Sequence, residues 1–351
     1  RTSTTGFNTI PAVSGGWKEL GRTTLGSAAN TMTVSSIPDK RYYKFLFNTT
    51  GMSSGSAGDV ELRFGNGSVD TGSNYARRRS LNGGAEAIGG SLTNILLSGN
   101  MSATVDHKEF GVGYIANLSA KEKLTQLHSA KFQTAGAGAA PDRYEVVGKW
   151  ANTSNPLDNI QVKAQVGTSN FNIGSELVVL GWDPADTHTT NFWEELASVD
   201  LSGGAADVIN SGTILAKKYL WVQAFLDGTG EIDLNFQFNS DTGANYANRR
   251  STNGGADTTG TSQTNIDLSA SLGSGSKSFQ NAFIINNSAN EKLVIANNCT
   301  ADGAGAGNFP IRDEVVGKWA NTASQITSIQ LTNTKAGSYD TGTIMKVWGS
   351  D

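Results

Sequence analysis

Two sixteen-residue stretches of this chain hold the residue types from which a site could be built. DTGSNYARRRSLNGGA runs from Asp70 to Ala85, and DTGANYANRRSTNGGA runs from Asp241 to Ala256. Each offers a carboxylate, amides, a phenol and guanidinium groups. The oxygens of Asp70, Asn74, Asp241 and Asn245 are of the kind that holds Ca²⁺. The same spacing suits an Asx-type turn, whose Asp and Asn side chains bond their own backbone. The turn is the simpler reading, so these four are weak metal candidates.

Catalytic constellations fare worse. The histidines are His107, His128 and His188, so the second stretch has no histidine in its half of the chain. A His-based triad or His-ligated metal therefore cannot be the repeated feature. Paired carboxylates for glycoside chemistry would come from Asp70, Glu122 and Glu145. Neighbouring Arg and Lys would keep these ionised and make them poor general acids. The Gly-rich segments TAGAGAAP (134–141) and ADGAGAGNFP (301–310) lack the Lys-Ser/Thr ending of a phosphate cradle. Cys299 is the sole cysteine, which rules out an intrachain disulfide and reads as a small buried apolar residue. No cofactor and no catalysis are expected.

The elements that carry these residues are themselves repeated. EVVGKWANT occurs at 145–153 and again at 314–322, EKL at 122–124 and 291–293. WKEL (17–20) matches WEEL (193–196), and KRYYKF (40–45) matches KKYLWV (217–222). The matches keep their order, and their period is far longer than that of a solenoid or propeller. Two tandem homologous domains follow, at 17–184 and 193–351, with a polar linker at 185–192 and an arm at 1–16.

Within each half, apolar and polar residues alternate, as in DVELRF and EIDLNFQF, which is the period of a half-buried strand. With 42 Gly among 351 residues, many turn-forming clusters and no long helical period, the expected class is all-β: two tandem β-sandwiches, jelly-roll-like in topology. The net charge of −4 provides no basic field for nucleic acid, and no apolar run has the length of a membrane helix.

The remaining repeated residues suggest a scaffold. Arg78 or Arg79 with Glu145, and Arg249 or Arg250 with Glu314, are expected as within-domain clamps beside Trp150 and Trp319, because guanidinium forks fit carboxylates and stack on rings. In the arm, Phe7, Ile10 and Val13 are spaced to dock on a neighbouring subunit. Trp17, Trp182 and Trp193, near the domain junctions, are the tryptophans that could be free to meet a ligand.

DTGxNYAxRRSxNGGA followed by EVVGKWANT resembles a set of virion structural proteins of tailed phages, over both halves of the chain. The resemblance implies a jelly-roll-like structural domain in the capsid or the tail and its fibres, on the particle surface, with copies of itself and other virion proteins as partners. It brings no catalytic residues. The alternative is a carbohydrate-binding module for a host glycan on the same sandwiches, which would need solvent-facing aromatic rings on one face.

Overall fold

The structure is a computed structural model that describes residues 13–14, 16–54, 58–102, 107–165, 169–188, 190–269, 272–273, 275–301, 303 and 305–351. It is all-β, with no helix among the described residues. Sixteen strands, labelled here in chain order, build two large sheets. The first holds Lys18–Thr24 (β1), Tyr42–Thr49 (β2), Tyr75–Leu81 (β3), Ala87–Leu92 (β4), Lys108–Ala116 (β5), Lys123–Phe132 (β6), Asp142–Trp150 (β7) and Glu176–Trp182 (β8). The second holds Glu194–Asp200 (β9), Tyr219–Asp227 (β10), Tyr246–Thr252 (β11), Thr258–Gln263 (β12), Lys277–Ile285 (β13), Lys292–Ala301 (β14), Ile311–Trp319 (β15) and Ile344–Ser350 (β16). Their orders are β1-β8-β2-β5-β6-β7-β3-β4 and β9-β16-β10-β13-β14-β15-β11-β12. Adding eight to each label of the first order produces the second.

A smaller sheet lies against the inner face of each large one. Val60, Leu62 and Phe64 of the first small sheet share a core with Phe45, Leu127, Val146 and Val179. Phe236, Phe238 and Leu331 of the second share one with Val222, Val294 and Val315. The period-two alternation read from DVELRF produces this packing, since every second side chain faces the partner sheet.

The jelly-roll part of the expectation gives way. β5, β6 and β7 pair consecutively inside one sheet, as do β13, β14 and β15. A jelly roll passes most successive strands to the opposite sheet, whereas these are joined by loops short enough for neighbouring antiparallel strands.

The repeated NGG ends the β3 and β11 hairpins. Asn82 and Gly83 have φ of 53° and 66°, Asn253 and Gly254 have 54° and 71°. Two successive left-handed residues make the tight turn whose twist matches that of the flanking strands, and Asn-Gly tolerates it best.

A third apolar cluster binds the halves together. Leu46, Phe110, Phe132 and Leu180 on the outer face of the first large sheet meet Tyr219, Phe283, Leu293, Ile295 and Val316 on the outer face of the second. The molecule is thus layered small–large–large–small.

Candidate functional site

The opening motif is used up in its own turn. The Gly72 N–H donates to Asp70 Oδ1 (2.8 Å) and the Asn74 amide to Oδ2 (2.8 Å). The Trp150 indole also donates to Oδ2 (2.7 Å), and the Tyr75 hydroxyl to the Asp70 carbonyl (2.9 Å). The second half repeats this with Gly243 (2.8 Å), Asn245 (2.9 Å), Trp319 (2.8 Å) and Tyr246 (3.0 Å) around Asp241. Burial works against these carboxylates, but the N–H donors from Trp, Asn and Gly hold both below their ordinary range. Oxygens already facing N–H donors, with an Asn presenting its nitrogen, form an Asx turn closed by an indole. The turn pins the loop to the end of β7 or β15. Asp70→Ala and Asp241→Ala each leave a buried indole N–H unpaired and are expected to cost about 1–3 kcal/mol. Denaturant unfolding checks this, and a neutral variant in either half would contradict it.

The expected Arg–Glu clamps do not form. Arg78 pairs with Glu86, and Arg79 lies over the Tyr144 ring. Arg249 donates to the Pro141 carbonyl (2.9 Å), and Arg250 is 2.6 Å from Asp267. For Arg79 and Arg250, register is the reason. Glu145 sits opposite Ser80 and Glu314 opposite Ser251, so Arg79 and Arg250, one step away, point to the inner face. Arg143, two residues before Glu145 on the same strand and face, takes Glu145 instead.

Arg143 is the residue that the spacing did not single out. Only 4% exposed, it binds Glu145 of its own half, and Asp257 (2.8 Å) and Glu314 (3.0 Å) of the other. The two repeated glutamates therefore face each other across the junction rather than clamping separate domains. Burial, and then the approach of Glu314, push Glu145 up to about 7. Burial alone would raise Glu314 too, but the hydrogen bond from Glu145 and the charges of Arg312 and Arg143 hold it below its ordinary value. Such a dyad shares one proton.

Further along the junction, Lys44 inserts into an aromatic cage. Its ammonium is 3.8 Å from the Phe283 ring centre and 5.2, 5.4 and 5.3 Å from those of Tyr114, Trp193 and Trp221. Burial depresses it well below a normal lysine. Trp193 thus seals the junction.

The seal is one-sided. Tyr219, Ile285, Leu293 and Lys318 lie in one row across the second sheet, and the first half covers them. There Lys318 donates to the Thr134 carbonyl (2.6 Å) and the Gly136 N–H to Glu291 (2.5 Å). The corresponding row of the first sheet is Tyr42, Ala116, Leu124 and Lys149. Its members line an open groove of about 700 Å³ with Trp17, Tyr114, Val147 and Trp182. Leu124 is 56% exposed, and Tyr42 stacks on Trp182 at 5.5 Å. Trp17 and Trp182 were legible as free junction tryptophans, but Tyr42 and Tyr114 were not.

One further expectation changes. Cys299 is exposed, because it lies on the part of the second sheet's outer face that the first half does not reach. In the arm, Phe7 and Ile10 lie outside the described residues, and the backbone of Val13 pairs with His188 of the same chain.

No known family model matches the sequence, and no curated protein matches it. Among solved structures, it is weakly similar to the β domain of the Bordetella autotransporter BrkA, at 9% identity over 76% of this chain and 100% of that one, with a TM-score of 0.14. The translocator domain of the autotransporter NalP from Neisseria meningitidis stands at 10% identity over 79% and 87%, with a TM-score of 0.11. An acyl-CoA hydrolase from Agrobacterium tumefaciens stands at 7% over 66% and 77%, with a TM-score of 0.12. At such TM-scores none of them bears on the fold or function of this chain.

Proposed function

We propose that this chain is a non-enzymatic structural component of a tailed-phage particle, in the capsid or the tail. In this reading it consists of two tandem copies of one sandwich, 17–184 and 193–351, joined by 185–192. It works at the particle surface by packing against copies of itself and other particle proteins. The matching strand orders support the duplication. The Asp70 and Asp241 turns support a scaffold role for the repeated polar residues, which bond one another and leave little to offer a substrate.

One observation carries the assembly part of the proposal: the first sheet leaves uncovered the row that the second sheet has covered. A face whose counterpart is already buried by a copy of the same fold is suited to a further copy, from a second chain. Light scattering on the purified chain is then expected to show a multiple of the monomer mass. Leu124→Glu, at an exposed position that leaves both cores intact, is expected to return it to monomer. A wild-type chain that stays monomeric at high concentration would end this reading.

The aromatic lining of the same groove favours a second reading, a glycan site, since Trp17, Tyr42, Tyr114 and Trp182 present ring faces of the kind sugars stack on. A monomer that binds a glycan, and loses it on Trp182→Ala, would replace the first reading by the second.

A further inference from the structure

Inside the first sandwich lie three ionisable side chains outside both the junction cluster and the Asp70 and Asp241 turns. Glu109 of β5 stands opposite Lys131 of β6, and Lys131 stands opposite Asp142 of β7. Members of one ladder row share one face of the sheet, and here that face is the interior. Glu109 and Lys131 are fully buried. The Lys131 ammonium lies 3.7 Å from Asp142 Oδ2 and donates to the Gly99 carbonyl (2.5 Å). The Ser98 and Ser129 hydroxyls donate to the two Glu109 oxygens (2.5 and 2.6 Å). Asn82 donates to Asp142 Oδ1 (2.9 Å), and Gln133 donates to Oδ2.

The second half does without this row. Its counterparts are Ser278, Thr300 and Ile311, so the sandwich does not require three buried charges at this place. A buried ion pair is a weak source of stability, so stability alone does not account for three charges at this place in the first half.

We propose that Lys131 and Asp142 condense to an intramolecular amide, assisted by Glu109, the next member of their ladder row. The Lys131 nitrogen forms a bond to Asp142 Cγ, and the bond from Cγ to one oxygen breaks. That oxygen leaves as water with two of the three ammonium protons, and the third stays on the amide nitrogen. No oxidant or other co-reactant is needed. The Lys131 nitrogen is 3.7 Å from Asp142 Oδ2, and a small shift toward the adjoining Cγ would bring it to the ~3–3.5 Å separation from which bond formation proceeds without a bimolecular encounter. Burial favours the uncharged amine that attacks, by lowering Lys131, and a protonated neighbour, by raising Glu109. Asn82 and Gln133 are placed to polarise the carboxyl under attack. The bond would close the hairpin between β6 and β7, whose loop supplies Thr134 and Gly136 to the second half.

The test is the mass of the denatured full chain, followed by proteolysis and sequencing of the fragments. Wild type is expected to be lighter than its sequence by one water, with one branched peptide joining Lys131 to Asp142. Lys131→Arg and Glu109→Gln are expected to keep the full sequence mass. A folded wild-type chain that holds its full mass after prolonged incubation overturns the proposal. So does a water lost without a branched peptide, or one still lost in Lys131→Arg. A link that forms unimpaired in Glu109→Gln removes Glu109 from the mechanism.

Discussion

Arg143→Ala is expected to cost about 3–5 kcal/mol, the range for stripping the counter-charge from a buried cluster. The variant leaves Glu145, Asp257 and Glu314 together at the junction with less to neutralise them. Arg249 is 3.8 Å from Asp257, and Arg312, on the exposed side, is 3.4 Å from Glu314, so compensation is partial. Denaturant unfolding measures the loss, and a cost below about 1 kcal/mol would show that the cluster is not what joins the halves.

The same cluster sets a pH dependence. Glu145 titrates in the folded state at about 7, above its unfolded value. Its contribution is therefore complete below the ordinary carboxyl range and is lost as pH rises through 7. At about 1.4 kcal/mol per unit, the loss reaches at most about 3 kcal/mol. Glu314 shifts the other way, and its contribution is lost only as pH falls below the ordinary carboxyl range. Lys44 and His128, both lowered by burial, contribute the opposite trend, so the Glu145 effect is read as a difference: relative to wild type, Glu145→Gln is expected to gain stability as pH rises from 5 to 8. An unchanged slope in the variant would place the titration elsewhere.

Trp150→Ala and Trp319→Ala are expected to be as damaging, at about 3–5 kcal/mol each for emptying a buried indole site. Both rings are fully buried, Trp150 against Phe64 and Trp319 against Phe238 and Tyr246. Each also donates to the Asp of its turn, so truncation also removes the bond that closes the loop. Trp→Phe at either site keeps most of the apolar contact and should cost about 1–2 kcal/mol through the lost hydrogen bond. Matching losses in the two halves are the expected result. A severe loss at one and a mild one at the other would mean that the two tryptophans do different work.

The features legible in the sequence are those that depend on near neighbours or on period. The Asp70 and Asp241 turns bond residues two to five positions apart, and the Asn-Gly pairs need only their own backbone angles. Alternation in DVELRF predicts its buried face, because a strand turns every second side chain the same way.

The partners of the arginines escaped such a reading. Repetition puts Arg78, Arg79 and Glu145 in both halves, but the register that sets Ser80 opposite Glu145 depends on how β3 and β7 pair over an intervening stretch of chain. A single step of register reverses the face. Two other matters were beyond the repeat altogether. One is that the glutamates meet across the junction. The other is that one row of near-equivalent residues is sealed around Leu293 and open around Leu124. Both follow from how two finished sheets pack, and identical local sequence cannot encode an asymmetric contact between its own copies. Composition, turns and strand faces were therefore determined by the chain locally, while the charge cluster, the groove and the Glu109–Lys131–Asp142 row were decided only when distant strands came side by side.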